Sequence, residues 1–482
     1  MIIKRYSIIL TISLFILIFG CGQDNRINNN VEPPEIIGVI SAPDTVSSKI
    51  FFIASIAVED PQGLDVQARF DWGNGFYSEY TDFAPSGSVL EMPYSYSNSG
   101  NFTISVTVRN RAGMISTSNE HNHFITVLYK PTSNLIDDLL IHNNRLFMTT
   151  NSPVNLNFQY QRAGQSGTKY FGYSATNKRS YLDFPLIVES SGLDYELTLQ
   201  VETETTVKDT ILTFVSTSSQ YPLLRVDFVD VRQGDGALIQ TPEGQAIAID
   251  GGYGSRVPGF SQPAYWNGAG HPFMLNYVIN ENITRFRFLI ESHNHMDHWG
   301  GLADIIDAGI PYDYYLSPDT PLDYTVGSYL NISSSVRFRI LNIDIPPGLN
   351  TTNENNRSIV LRVEYGEIAY LFTGDMEAVL ENYLVNEGFN LSADVLKVAH
   401  HGSQTSSRQY FLEAVFNRYA QIAVMSFGTG NPYNHPHSLD RFSDYEVFGT
   451  GQPSNPYQGD NYHFNTGDVQ TYSDGYIIIV SY

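Results

Sequence analysis

Every second side chain in Phe102-Thr103-Ile104-Ser105-Val106-Thr107-Val108 is apolar, the pattern of a strand with one buried and one wet face. Short alternating runs of this kind, separated by turn residues, extend from Ile36 to Val127 and predict a β-sandwich across residues 34–130. The parity carries on beyond it. Val154, Leu156, Phe158 and Tyr160 share one face, as do Tyr195, Leu197, Leu199 and Val201, which predicts a second sandwich across residues 131–220. Helix-forming runs enter only in the C-terminal half, residues 221–482. There, short apolar runs such as Phe286-Arg287-Phe288-Leu289-Ile290, Leu371-Phe372 and Ile422-Ala423-Val424-Met425 give way to loops that carry histidine and aspartate.

The first of these loops holds the densest chemistry in the chain. Ser292-His293-Asn294-His295-Met296-Asp297-His298 packs three imidazoles and a carboxylate directly behind an apolar strand. Imidazole nitrogen and carboxylate oxygen suit zinc and similar divalent ions. A strand that delivers His-x-His-x-Asp-His can aim His293 and His295 at one metal and Asp297 and His298 at another, about 3.5–4 Å away. A structural zinc site would normally use cysteine, and this half of the chain has none. The expected cofactors are therefore two divalent ions, zinc or manganese.

His-x-His-x-Asp-His resembles the signature of the metallo-β-lactamase superfamily. The surrounding motifs resemble the hydrolase domain of the DNA-internalisation competence family ComEC. They are Val226-Asp227-Phe228-Val229-Asp230-Val231-Arg232-Gln233-Gly234-Asp235-Gly236, Ala248-Ile249-Asp250-Gly251-Gly252, Asn356-Arg357-Ser358, Thr373-Gly374-Asp375, Val395-Leu396-Lys397-Val398-Ala399-His400-His401-Gly402-Ser403, and Asn434-His435-Pro436. The resemblance covers residues 223–482 and implies an αββα fold behind the all-β modules. It also implies that Asp250 braces the ligand loop and that Asp375 bridges the two metals. The superfamily's usual histidine between the first motif and the bridging aspartate is missing here. The resemblance implies that one of His400 and His401 serves the first metal and that His435 serves the second. Strand parity, which puts position 400 on the face of Leu396 and Val398, favours His400 as the ligand and leaves His401 as proton donor or substrate contact; spacing is compatible with either. Asp297, Asp375 and His401 are thus the expected catalytic residues. Asn356, Ser358 and Ser403 are expected as neutral donors to an anionic, phosphodiester-like substrate.

Charge narrows the partners. With 27 Lys+Arg against 50 Asp+Glu, the net charge of −23 opposes a stable complex with nucleic acid, so turnover rather than coating is expected. The expected function is hydrolysis of phosphodiesters by metal-activated water at the bacterial surface. One alternative is an esterase on choline phosphate or a similar surface-polymer substituent, which the aromatic insertion at 252–275 (Tyr253, Phe260, Tyr265, Trp266) would suit. Another is a non-enzymatic adhesion or scaffold protein built on the β modules. Asp71-Trp72-Gly73-Asn74-Gly75 and Asn110-Arg111-Ala112-Gly113 resemble a PKD-type immunoglobulin-like module, with Trp72 read as a core residue. His121, His123, His142, His271, His437 and His463 have no motif support as ligands.

Lys4 and Arg5, the apolar stretch Ile8 to Phe19, and Gly20-Cys21 resemble a bacterial lipoprotein signal peptide over residues 1–20, followed by a polar tether over 21–33. Cys21, the sole cysteine, would then be lipidated and would anchor the protein in the cell envelope, periplasmic or surface-exposed. Cys21→Ser should release the protein from the membrane fraction without changing turnover; a mutant that still sediments with membranes removes the lipid anchor.

Overall fold

The computed structural model describes residues 31–482 apart from 119, 130–134, 166, 175–178, 204–205, 256–269, 322, 438, 455–458 and 465. Cys21, the signal-like segment, most of the tether, and Phe260, Tyr265 and Trp266 lie outside the described residues. The chain divides into two compact units. Among the described residues, one comprises 31–41 with Ser55–Glu91 and Thr103–His123; the other comprises Ala42–Ala54, Met92–Phe102 and Phe124–Tyr482.

The alternating N-terminal runs form two sheets. One contains Glu35–Ser41, Phe52–Glu59 and Val89–Tyr94; the other contains Thr45–Ser47, His123–Leu128, Gly100–Asn110 and Val66–Asp71, with Ile115–Thr117 at its side. Trp72 is 1% exposed and stacks on Phe70 with ring centroids 5.4 Å apart, so its indole fills core. Gly73 follows it at φ 74°, and a Cβ there would lie 2.5 Å from the Thr103 carbonyl oxygen, which requires glycine at that turn.

The C-terminal half is four-layered. The first sheet runs Leu224–Phe228, Gly236–Gln240, Ala246–Gly251, Phe286–Ile290 and Tyr312–Leu316. The second runs Tyr329–Leu330, Val336–Asn342, Val360–Tyr365, Ile368–Phe372, Val395–Lys397, Ile422–Met425, Glu446–Gly449 and Tyr462–Phe464. Apolar side chains of both sheets, among them Phe228, Phe288, Phe338, Leu361 and Phe372, form one core. Helices α1 (Phe273–Asn280) and α2 (Met296–Asp307) cover the first sheet through Met274, Val278, Leu302 and Ile305. Helices α3 (Ala378–Asn386) and α4 (Gln409–Val415) cover the second through Leu380, Leu384, Phe411 and Leu412.

Residues 131–220, expected as a separate sandwich, extend the first sheet instead. Tyr170–Ser174 pairs antiparallel with Ile477–Ser481, so the sheet continues from Val207–Val215 to Tyr312–Leu316 without a break. The final strand explains the continuity. Ile477 and Ile479 pack with Leu146, Phe158 and Tyr195, while Ile478 and Val480 pack into the core between the two sheets. A strand apolar on both faces needs cover on both faces, and parity within 131–220 reveals only that one face is buried, not what buries it.

Ile479, 2% exposed, thereby ties the two segments together. Ile479→Ala should cost about 2–5 kcal/mol in urea unfolding followed by tryptophan fluorescence. A cost below about 1 kcal/mol would mean that the shared strand contributes little to the fold.

Candidate metal centre

The parallel strands of both sheets end at one edge, and their carboxyl ends supply the chemistry, as in other α/β sheets. Asp250 closes Ala246–Gly251 at φ 58°. Its Oδ1 accepts from the Ser292 N–H at 2.7 Å, and its Oδ2 lies 2.8 Å from His298 Nδ1, which leaves His298 Nε2 pointing away. His293 and His295 follow the neighbouring strand, and Asp297 and His298 occupy the first turn of α2. That turn sits against backbone. A Cβ at Gly300 or Gly301 would lie 1.8 or 1.9 Å from the carbonyl oxygens of Tyr253 and Gly251, so Gly300-Gly301 lets α2 approach the strand end.

From the second sheet, Asp375 follows Ile368–Phe372. Its backbone N–H donates to Ser358 Oγ at 3.0 Å, and the Glu377 N–H donates to Asn356 Oδ1 at 3.1 Å. Asn356 and Ser358 are fully buried and Ser403 is 5% exposed. These three side chains, expected as substrate contacts, have oxygens that accept from backbone N–H groups of Asp375, Glu377 and Thr405, and so brace the backbone around Asp375 and the 400s loop.

Five of the seven expected ligands, His293, His295, Asp297, His298 and Asp375, converge on two sets, and His401 rather than His400 or His435 completes them. His293, His295 and Asp375 form one, and Asp297, His298 and His401 form the other, with ligand atoms of each set within 4.8 Å of one another. Asp235, His298 and Asp375 form a third combination of the same kind. His400 stands at the edge, Nε2 3.8 Å from Asp375 Oδ2, and its side chain is 22% exposed. His435 lies beyond it, ring centroids 5.6 Å from His400 and 6.0 Å from His401.

The His400-His401 pair divides differently from the parity expectation. The strand ends at Lys397, and His400 and His401 both adopt left-handed backbone at φ 52° and 54°, so alternation no longer applies there. His401 is the buried member at 2% exposure. Its Nδ1 lies 3.0 Å from the Ser426 carbonyl oxygen and 3.1 Å from Asp235 Oδ1, and its Nε2 lies 3.4 Å from Asp297 Oδ2.

Asp235 and Lys397 escaped the sequence reading. Lys397 Nζ lies 2.7 Å from Asp235 Oδ1, both side chains being at most 5% exposed. The signals available were Asp235 between two glycines, which reads as a turn, and a lone lysine within Val395-Leu396-Lys397-Val398. The arrangement matches a carboxylate that orients a ligand histidine through its second nitrogen.

Electrostatics concentrate here. Burial would raise the Asp375 carboxyl, but His401, His298 and His400 outweigh it and hold it well below the usual range. Burial would raise Asp235 as well, yet Lys397 and His401 bring it down to about 2. Burial and the neighbouring His298 push His293 well below its ordinary value, and burial with His401 and His400 takes His435 down to about 3. Burial lowers His401, but Asp375 and Asp235 carry it up to about 10. The residues fit a metal pair on a further ground. Asp375 Oδ1, His298 Nε2 and His401 Nε2 are buried with no hydrogen-bond partner among the described residues, which is costly for polar atoms unless another ligand meets them.

Residues 229–420 match the metallo-beta-lactamase superfamily, and the C-terminal half carries a domain of that superfamily. Over 247 residues the chain is 28% identical to ComE operon protein 3 of Bacillus subtilis, covering 45% of this chain and 30% of that protein. Over 232 residues it is 30% identical to Recombination protein 2 of Haemophilus influenzae, covering 47% and 27%. Competence protein ComA of Neisseria gonorrhoeae is 45% identical over 92 residues, 19% of this chain and 13% of that one. The chain thus spans less than a third of the length of these curated relatives. A solved PKD domain of an M14-like peptidase from a Thermoplasmatales archaeon aligns with 20% of this chain and 97% of its own at 16% identity, with a TM-score of 0.18.

Burial and partners give His401 the stronger claim as ligand. His401→Ala should lower bound metal, measured by elemental analysis, from about two equivalents toward one. His400→Ala should leave metal content near the wild-type value and slow turnover. Equal metal loss in both variants would place His400 among the ligands as well.

Proposed function

We propose that the protein is a metal-dependent hydrolase of the bacterial cell envelope that cleaves phosphodiesters. The observation that carries the reading is the pair of adjoining His/Asp sets, Asp375 Oδ2 of the first lying 3.3 Å from His298 Nε2 and 3.6 Å from His401 Nε2 of the second, with buried ligand atoms on both sides that have no hydrogen-bond partner among the described residues. His293, His295 and Asp375 would hold one divalent ion, and Asp297, His298 and His401 the other. Such ions lower the pKa of water toward about 7 and screen charge on a reacting phosphoryl group.

The chain's own residues supply the rest. Asp250 holds His298 and the Ser292 amide, which fixes the ligand loop before substrate arrives. Asp235, anchored by Lys397, sets the orientation of the His401 ring. His400, partly exposed beside Asp375 and steadied by Thr405 Oγ1 at 3.0 Å from its Nδ1, is the group placed to pass a proton to a departing alkoxide. No serine or cysteine nucleophile is needed.

The relatives' names speak of competence and recombination, which favours a nucleic-acid phosphodiester over a lactam. The net charge of −23 fits an enzyme that lets go of its polyanion after each cleavage. Among the described residues no helix is long and apolar enough to cross a membrane.

Purified protein supplied with zinc or manganese is expected to hydrolyse single-stranded DNA and bis-p-nitrophenyl phosphate in preference to p-nitrophenyl phosphorylcholine. Asp375→Asn should reduce that activity at least about a hundredfold while circular dichroism stays unchanged. Preference for the phosphorylcholine ester would move the assignment to the surface-polymer esterase, and full activity in Asp375→Asn would displace the site.

A further inference from the structure

Beside the metal-binding loop lies a cavity of about 510 Å³, bounded by Gln404, Thr405, Ser407, Arg408, Gln409 and Arg441. Its lining holds two arginines and no acidic side chain, in a chain whose net charge is −23. Ser407 is fully buried, and its Oγ has no hydrogen-bond partner among the described residues. The same holds for the buried Nε of Arg441. Two donors enclosed without acceptors, beside an exposed Arg408 guanidinium, define the chemistry of what would fill the space: an anion with several oxygens.

The main chain here is already committed. The Glu381 carboxylate accepts from the backbone N–H groups of Ser407 and Arg408. Arg441 donates from its terminal nitrogens to the carbonyl oxygens of Ser406, Gly402 and Ser403, at 2.8, 3.1 and 2.8 Å. The Gln409 amide donates to Glu413 Oε1 at 3.2 Å, which leaves Arg408, the Nε of Arg441, the Ser407 hydroxyl and the Gln404 amide for a ligand. The cavity also borders the proposed reaction centre. Thr405, on its wall, has Oγ1 3.0 Å from His400 Nδ1, and His400 Nε2 lies 3.8 Å from Asp375 Oδ2. One imidazole therefore lies between the cavity wall and the Asp375 carboxylate.

We propose that this cavity is a second anion subsite, which holds a phosphate next to the scissile one in a polyphosphodiester chain. The inference rests on the phosphodiesterase reading and sharpens it: the substrate is a chain of phosphates rather than a lone diester. Affinity for the strand comes from this local pair of cations, which the acidic remainder of the surface does not provide.

The test uses the full chain loaded with metal and compares pentathymidylate, which has several phosphates, with thymidylyl-thymidine, which has one. Arg408→Gln should lower the ratio of kcat/KM for the longer over the shorter substrate about tenfold, chiefly through KM, and Arg408→Lys should restore most of it. A ratio that does not move in Arg408→Gln overturns the subsite. A glycerol-phosphate oligomer identifies the source. Arg408 dependence with both polymers assigns the subsite to the phosphate repeat, dependence with the oligonucleotide alone assigns it to nucleic acid, and dependence with neither overturns it. If the wild type cleaves none of these substrates, the phosphodiesterase reading falls, and the subsite is decided by anisotropy of fluorescein-labelled pentathymidylate. Binding about tenfold weaker in Arg408→Gln keeps the subsite, and equal binding ends it.

Discussion

A carboxylate buried to 2% exposure among four histidines is the constraint around which the C-terminal half is arranged. Asp375 Oδ2 lies 3.3 Å from His298 Nε2, 3.6 Å from His401 Nε2, 3.8 Å from His400 Nε2 and 3.9 Å from His293 Nε2. Removing such a charge from water costs several kcal/mol unless opposite charge and hydrogen bonds offset it. No single element could bring that many partners to one point. His293 and His298 arrive from the first sheet and α2, His400 and His401 from the second sheet, and the core between the sheets fixes their separation. The Asp235–Lys397 pair joins a loop of the first sheet to a strand of the second at 2.7 Å, so the same interface that excludes water also sets the His401 ring.

Left-handed backbone recurs at the same edge. Asp250, His400, His401, Ser407 and Asn434 all adopt left-handed φ between 52° and 58°, and Gly374 sits at 50°. Each non-glycine residue in this region costs on the order of 1 kcal/mol and persists only where surrounding contacts hold it. Here those contacts are identifiable. Asp250 is held by Ser292 and His298, the His401 ring by Ser426 and Asp235, and the Ser407 amide by Glu381. The sharp turns that result leave strand ends pointing side chains inward at spacings an unstrained loop would not give.

This strain marks where the sequence was legible and where it was not. His293, His295, Asp297 and His298 could be read directly, because a strand followed at once by a helix start leaves little freedom in a motif of such short spacing. Asp375 and Asp250 were legible as carboxylates that end apolar runs. Parity failed at His400 and His401 because it presumes extended backbone, and the chain leaves that conformation after Lys397. Asp235 was hidden between Gly234 and Gly236, where a turn explains the residues equally well; yet a Cβ at Gly234 would lie 2.3 Å from the Asp297 carbonyl oxygen, so this glycine serves the site rather than a surface turn. Asn356 and Ser358 misled in the opposite sense, since polarity suggested exposure and their hydrogen bonds are internal. In the β-rich segment 131–220, alternation identified strands but not their neighbours, because Ile477–Ser481 arrives from more than two hundred residues away in sequence.

Charge closes the physical account of the site. A chain with 50 acidic and 27 basic residues repels polyanions at long range, so any attraction for one would have to be local and short-ranged. Arg441 does structural work beside the proposed subsite, since its donors hold the carbonyls of Gly402, Ser403 and Ser406, the turn directly after His400 and His401. An anion drawn to its Nε would polarise the guanidinium without displacing those bonds, because Nε is not among the atoms that make them. The loop that carries His400 and His401 is thus held by Arg441, and an anion at the proposed subsite would meet the same cation.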